Sequence, residues 1–268
     1  METPAPRQGM AEDASIPMQA EAGKAEGRLA QGHSTPARPL ADEITSTLES
    51  LGYAHIESPI SIEDYESLAT RIGTITLRSD IQIDANRDLM QKQTRTRERP
   101  SIYSAEPLGF HTDPNADLVS WHCLEQDEID GAVLLLDTSD IAQQFSADEL
   151  GILSLVKVYA FTKNSDSEQE RSTLVPLLTD CEGSYRVFYA PWLVCGPSDS
   201  ESSEMLKKFS DYLRHKEATQ LIRVRLKRNE CLFVDNHRML HGRGAIAEGS
   251  KRRLLRFYLT RPGFDQEQ

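Results

Sequence analysis

Residues Glu230–Thr260 read ECLFVDNHRMLHGRGAIAEGSKRRLLRFYLT. Two apolar runs rich in Leu, Val and aromatic residues, Glu230–Asp235 and Arg252–Thr260, have the composition of strands. Between them lies a polar stretch that carries His237 and His241 and then Gly242-Arg243-Gly244. On the second run Arg252, Leu254 and Arg256 share one face, because side chains alternate with period two. Lys251, Arg252 and Arg253 alone would read as a solvated turn. Arg256 does not, because Leu254, Leu255, Phe257 and Tyr258 flank it. A guanidinium on such a face suits bidentate pairing with a dicarboxylate.

Working outward, strand signals dominate after residue 107. Asp117–Leu124, Gly131–Leu136, Val156–Thr162, Thr173–Leu178, Ser184–Tyr189 and Leu221–Leu226 all fit short strands. Two helices interrupt them. One runs from Ser146 to Leu155, with Ser146 and Glu149 as a capping box, and the other from about Glu201 to Lys216. Before residue 107, Leu40, Ile44, Leu48 and Leu51 recur at helical spacing ahead of Gly52. A short strand, Tyr53–Glu57, precedes a helix capped by Ser61 and Asp64 that stops near Gly73, and Thr74–Asp84 alternates as a strand. Many short strands with few helices predict a sandwich or barrel, mostly β, with the helices packed outside.

Two segments fall outside this pattern. Sixteen of the first 38 residues are Ala, Gly or Pro, and no Phe, Trp or Tyr precedes Tyr53. Such a stretch buries too little apolar surface to offset its ordering entropy, so residues 1–38 are expected to be a disordered tail, ahead of one domain over 39–268. Its five acidic residues argue against a transit peptide. The polar run Arg87–Pro107 is long for a connection, which suits a lid or binding loop and equally a solvated surface.

The 268 residues carry 30 Lys and Arg against 42 Asp and Glu, a formal net charge of -12. That charge repels polyphosphate, which argues against a general nucleic-acid partner. No apolar run reaches the roughly 20 residues of a membrane span, and no signal-peptide core is evident, so a cytoplasmic location is expected. The four cysteines, at 123, 181, 195 and 231, lack the paired spacing of a structural zinc site and read as reduced thiols.

A histidine and a carboxylate two apart on a strand point to the same side and can grip one metal ion. With seven histidines and 42 acids, about one such triplet is expected by chance, so the motif alone is weak. The chain has three: His55/Glu57, His111/Asp113 and His215/Glu217. The last lies in a predicted helix, where residues two apart diverge. His55/Glu57 fits a partly exposed strand with polar residues outward. His111/Asp113 sits where the polar loop enters the strand-rich region. A 2-His-1-carboxylate set, which leaves open positions on Fe(II), needs a second histidine. His122, His237 and His241 are the candidates, and His122, in a core strand, suits a structural role better.

Gly109-Phe110-His111-Thr112-Asp113, Phe233-Val234-Asp235-Asn236 with His241-Gly242-Arg243, and the pair Arg252 and Arg256 together resemble one family. It is the taurine dioxygenase-like and clavaminate synthase-like Fe(II)/2-oxoglutarate oxygenases. The resemblance implies a double-stranded β-helix, that is, a cupin-like jelly-roll, over about 107–262. It implies iron on His111, Asp113 and His241. It implies Arg252 on the far carboxylate of 2-oxoglutarate, and Arg256 nearby on cosubstrate or substrate. It further implies O2 as co-reactant, and succinate, CO2 and a hydroxylated small molecule as products. Asp113 disfavours halogenation, while desaturation and ring closure stay open. Substrate candidates are a free amino acid, an amino acid on a carrier protein, and a natural-product intermediate. Trp121, Tyr103 and Trp192 are candidate pocket walls, though a core role suits each better. The family often sets a threonine where Gly131-Ala132-Val133 stands, so Val133 replaces a hydroxyl, unless Thr138 supplies one. Two rivals remain at this level: a non-catalytic jelly-roll binding protein, and a zinc- or manganese-dependent isomerase or hydrolase using the same ligands.

Overall fold

The computed structural model describes residues 28–29, 37–84, 88, 100–127, 131–163, 170–197, 199–247 and 249–261. The first half of the chain forms β1 (Arg28–Leu29), α1 (Ala37–Leu51), β2 (Tyr53–Ile56), α2 (Ile62–Ile72), β3 (Thr74–Gln82), β4 (Leu108–His111), β5 (Leu118–Glu125) and β6 (Val133–Asp137). Then come α3 (Ile141–Gln144), α4 (Ala147–Leu155), β7 (Lys157–Lys163), β8 (Glu170–Pro176), β9 (Leu178–Cys181) and β10 (Ser184–Val187). The chain closes with α5 (Ser200–Gln220), β11 (Ile222–Val224), β12 (Cys231–Asp235), β13 (Met239–Arg243) and β14 (Arg253–Thr260).

Helix ends follow the sequence signals. The Ser61 hydroxyl accepts from the Asp64 amide at 3.0 Å, and Ser146 and Glu149 form a reciprocal capping box. Gly52, at φ +79°, ends α1, where a side chain would strike Met239.

Two sheets face each other. The larger has the order β1-β2-β12-β5-β14-β3 and the smaller β11-β6-β13-β4. Every ladder except the β1–β2 contact is antiparallel. Strands β2 and β3, which precede residue 107, therefore belong to the larger sheet. Of the expected tail, most lies outside the described residues. Within it, Arg28–Leu29 pairs with His55–Ile56 and α1 starts at Ala37. Most of the polar run 87–107 also lies outside the described residues.

Strand alternation sorts side chains into three packed layers. On β5, Val119, Trp121 and Cys123 point between the sheets, where they meet Val133, Leu135, Leu232, Val234 and Leu254. Leu118 points the other way, into a core closed by Leu40, Ile44 and Leu48 of α1 and Tyr65 and Leu68 of α2. Phe233 and Phe257 are fully buried there, each contributing on the order of 2 kcal/mol of burial. The outer side of the smaller sheet, Leu136 and Leu240, packs under α4, α5 and the β7–β10 segments. The helices thus cover the outer faces and leave the space between the sheets for the polar groups described next.

Candidate active site

β4 and β13 lie side by side, with His111 paired to His241. Between that pair and the next, Arg243 opposite Leu108, two residues of β4 (Gly109 and Phe110) oppose the single Gly242. This bulge re-aims the end of β4. It also explains Gly242: a Cβ there would lie 2.8 Å from the Leu108 carbonyl.

The result is a buried cluster. His111, Asp113 and His241 each place one donor atom within 4.8 Å of the others. His241 Nε2 lies 3.3 Å from Asp113 Oδ2, and His111 Nε2 lies 3.9 Å from Asp113 Oδ1. The His111 Nδ1–H donates to the Gly109 carbonyl at 2.8 Å, leaving the Nε2 lone pair facing the carboxylate. Burial first, and then His241, pushes the His111 imidazole down to about 4, so the ring is neutral at ordinary pH. Burial opposes ionisation of Asp113, but Arg256 and the two imidazoles outweigh it and hold the carboxyl well below the usual carboxylate range. Two imidazole nitrogens and one carboxylate converge on one point, the donor chemistry that suits Fe(II).

A pocket opens beside the cluster. It is lined by His111, His241, Trp121, Val133, Leu254 and Ile81, with Arg243, Arg252 and Arg256 among them. Leu254 and Arg256 share the inner face of β14, as their spacing predicts, and Arg252, one residue before the strand begins, also lines the pocket. Arg252 is 4% exposed, and its Nε donates to the Gly131 carbonyl at 3.0 Å. Arg256 Nη1 reaches Asp113 Oδ2 at 3.4 Å, and its guanidinium lies 4.6 Å from the Tyr258 ring. Burial lowers Arg256, but Tyr258 and Asp113 more than reverse this and raise it above its ordinary value. Arg252 and Arg243 go the other way. Burial pushes each down to about 10, still cationic at neutral pH. The Trp192 and Trp121 rings stand 5.2 Å from His111 and 5.3 Å from His241.

Other sequence candidates separate from this centre. His122 is buried on the helix side of β5, with Nε2 donating to the Ile60 carbonyl at 3.0 Å, a structural role. His237 Nε2 bonds Asp117 Oδ1 at 2.8 Å. The exposed-strand expectation for His55/Glu57 is wrong for the histidine. β12 covers β2, and His55 is 5% exposed and paired with Glu230 Oε2 at 3.0 Å. Thr138 does not replace the missing hydroxyl, because its Oγ1 donates to the Arg238 carbonyl at 2.6 Å. Val133 stands at the pocket wall with no hydroxyl. Two residues of consequence stand in the quoted motifs without a role assigned from the sequence. Asn236 clamps the Asp113 backbone, and Arg243 points into the pocket two positions after His241. Period-two alternation from His241 was the available signal for Arg243, but no strand was evident there.

The model of the taurine catabolism dioxygenase TauD, TfdA family matches residues 17–258. The chain belongs to this TauD, TfdA dioxygenase family. It is an Fe(II)- and 2-oxoglutarate-dependent oxygenase. No curated protein sequence matches it. Among solved structures it is similar to an asparagine oxygenase in complex with Fe(II), (2S,3S)-3-hydroxyasparagine and succinate. That match has 16% identity and TM-score 0.62, over 83% of this chain and 79% of the other. It is similar to the non-heme iron oxygenase OrfP in complex with Fe and α-ketoglutaric acid, at 18% identity and TM-score 0.59, over 84% and 81%. A candidate α-ketoglutarate-dependent taurine dioxygenase from Burkholderia xenovorans matches at 16% identity and TM-score 0.63, over 87% and 88%. At these identities the likeness is one of fold, and the TauD, TfdA assignment rests on the family model.

Proposed function

We propose that this TauD, TfdA family member hydroxylates a C–H bond of a small anionic molecule, an amino acid being the leading class. In this reading His111, Asp113 and His241 hold Fe(II), Arg252 pairs with the far carboxylate of 2-oxoglutarate, and Arg256 orients the anionic group of the substrate. The observation that carries it is one buried pocket that joins an N,N,O donor cluster to three guanidiniums, with Asp113 the one carboxylate ion-paired to them among the described residues. Buried cations at that density call for anionic ligands.

Iron bound there supplies the oxygen chemistry, converting 2-oxoglutarate and O2 to succinate and CO2 while the substrate gains a hydroxyl. The chain's own residues do the rest. The neutral His111 ring offers its lone pair without first losing a proton. Trp121 and Trp192 wall the imidazoles and exclude water. Arg252, held by Gly131, presents its remaining N–H groups to a carboxylate. The asparagine oxygenase and OrfP structures contain hydroxylated amino acids, which favours an amino acid, free or on a carrier protein, over other small molecules. The sheet orders fit a double-stranded β-helix, with residues 39–268 acting as one oxygenase unit. Four free thiols fit a cytoplasmic setting, and among the described residues no helix is long and apolar enough to cross a membrane.

Anaerobic titration of the Fe(II) protein with 2-oxoglutarate tests the reading. A visible metal-to-ligand charge-transfer band is expected, lost in His111→Ala. Admitting O2 with a panel of L-amino acids should then release succinate in step with one substrate. Iron-loaded protein that shows no band on titration would sink the proposal.

A further inference from the structure

We infer that Arg243 is a second recognition residue for the far carboxylate of the cosubstrate, opposite Arg252, and that it stands in for the hydroxyl absent at Val133. This rests on the reading above and concerns the same pocket.

Arg243 follows His241 by two on β13, so both face the pocket. Its cross-strand partner is Val133, and both line the pocket together with Arg252. It is 6% exposed. Both terminal nitrogens bond backbone: Nη1 donates to the Ile102 carbonyl at 3.2 Å, and Nη2 to those of Ser104 and Glu106 at 2.5 and 2.7 Å. These carbonyls hold the guanidinium in place but leave its charge unneutralised. Among the described residues the Nε–H, buried as well, has no hydrogen-bond partner. Among the described residues neither Arg243 nor Arg252 forms an ion pair. After burial, the Arg243 charge is the next cause that lowers Arg252, as a second cation in one low-dielectric pocket must.

An unpartnered buried donor and two unneutralised buried cations are expensive unless an anion completes them. A carboxylate has two oxygens and suits two donors approaching from different sides. Arg252 is free to offer its Nη groups, and Arg243 its Nε–H. A hydroxyl at position 133 would supply one neutral hydrogen bond on that wall. A guanidinium across the strand pair supplies a charge-assisted one, which is stronger. The cosubstrate favoured is therefore one with a second carboxylate, bound through a pair of arginines.

The test compares 2-oxoglutarate with 2-oxopentanoate, which has the same chain length but a methyl group in place of the far carboxylate. Each is titrated anaerobically into the Fe(II) protein, and Kd is read from the charge-transfer band in wild type, Arg243→Gln and Arg243→Lys, with Tm as a folding control. Arg243→Gln should weaken 2-oxoglutarate by about 100-fold and leave 2-oxopentanoate within about 2-fold, the loss expected for a buried charge-assisted contact. Arg243→Lys keeps the charge but loses the fixed fork, so about a 10-fold loss confined to 2-oxoglutarate is expected. If Arg243→Gln does not fold, Arg243→Lys decides alone. Equal weakening of both oxo acids would mean that Arg243 only braces residues 102–106, and would overturn the inference. Wild type that binds no 2-oxoglutarate would instead remove the function reading itself.

Discussion

The Asn236 carboxamide satisfies both backbone hydrogen-bonding groups of Asp113. Its Oδ1 accepts from the Asp113 amide at 2.9 Å, and its Nδ2 donates to the Asp113 carbonyl at 2.7 Å and to the Ala116 carbonyl at 2.7 Å. Asn236 is 2% exposed and directly follows β12. The carboxylate proposed to bind iron is thus fixed through its main chain by the residue that follows a strand of the larger sheet, while the two histidines come from the smaller one.

Truncating that clamp should be costly. Asn236→Ala removes the partner of three backbone groups, the Asp113 amide and the Asp113 and Ala116 carbonyls, so unfolding free energy should drop by about 2–3 kcal/mol. Asn236→Asp places an acceptor against two carbonyls and should be at least as harmful. Iron affinity should fall in both, with Asp113 intact. Chemical denaturation and an anaerobic Fe(II) titration check this. Unchanged iron affinity in a folded Asn236→Ala protein would separate the clamp from the metal.

Gly131 should be as sensitive as an arginine of the pocket. A Cβ at that position would lie 2.5 Å from Arg252 Cδ and 2.7 Å from its Nε, and the residue holds φ +87°. Gly131→Ala therefore both strains the turn and pushes Arg252 from the carbonyl that holds it. The expected outcome is a KM for 2-oxoglutarate raised roughly 10-fold or more, with a smaller change in kcat, since about 1.4 kcal/mol of binding is a factor of ten.

Removing the metal ligands should cost function more than fold. His111→Ala and His241→Ala should abolish iron-dependent turnover and change Tm little. Asp113→Ala should do more damage, because Arg256 then remains buried without its carboxylate. A loss of about 3 kcal/mol relative to the histidine variants is expected from a broken buried pair. Comparing the three variants without metal, by thermal unfolding, isolates the Arg256 contribution.

Acid should weaken the fold through His122. Burial lowers its pKa from the ordinary histidine value, and among the described residues its Nδ1 has no partner for an added proton. The unfolded chain therefore takes up this proton at a higher pH than the folded one. The neutral ring's contribution is complete above the unfolded pKa of about 6.5 and is lost as pH falls below it, towards the folded value. Tm measured from pH 7 down to pH 5 should fall more steeply in wild type than in His122→Gln. Parallel curves would show that the ring does not titrate in this window.

Much of this chain was legible from local chemistry. The apolar spacing of α1, the caps of α2 and α4, and the alternation of β5, β12 and β14 are nearest-neighbour effects, and the structure places them within a few residues of expectation. So is the shared face of Leu254 and Arg256. The motif order pointed to the TauD, TfdA family before any contact was known.

Other features depended on which strands become neighbours. β4 and β13, which carry the two histidines, were not evident as strands, because Gly109, His111, His241 and Gly242 have little strand propensity and their pairing comes from each other and from β6. The burial of His55 required Glu230, 175 positions away, and the exclusion of Thr138 required the Arg238 carbonyl. The Asn236 clamp is a contact across more than a hundred residues, and Arg243 and Arg252 come to one pocket only once β13 and β14 have been placed in facing sheets. Composition and spacing specify what each segment can form, and only the packed arrangement decides which charges share a pocket and which atoms remain without a partner.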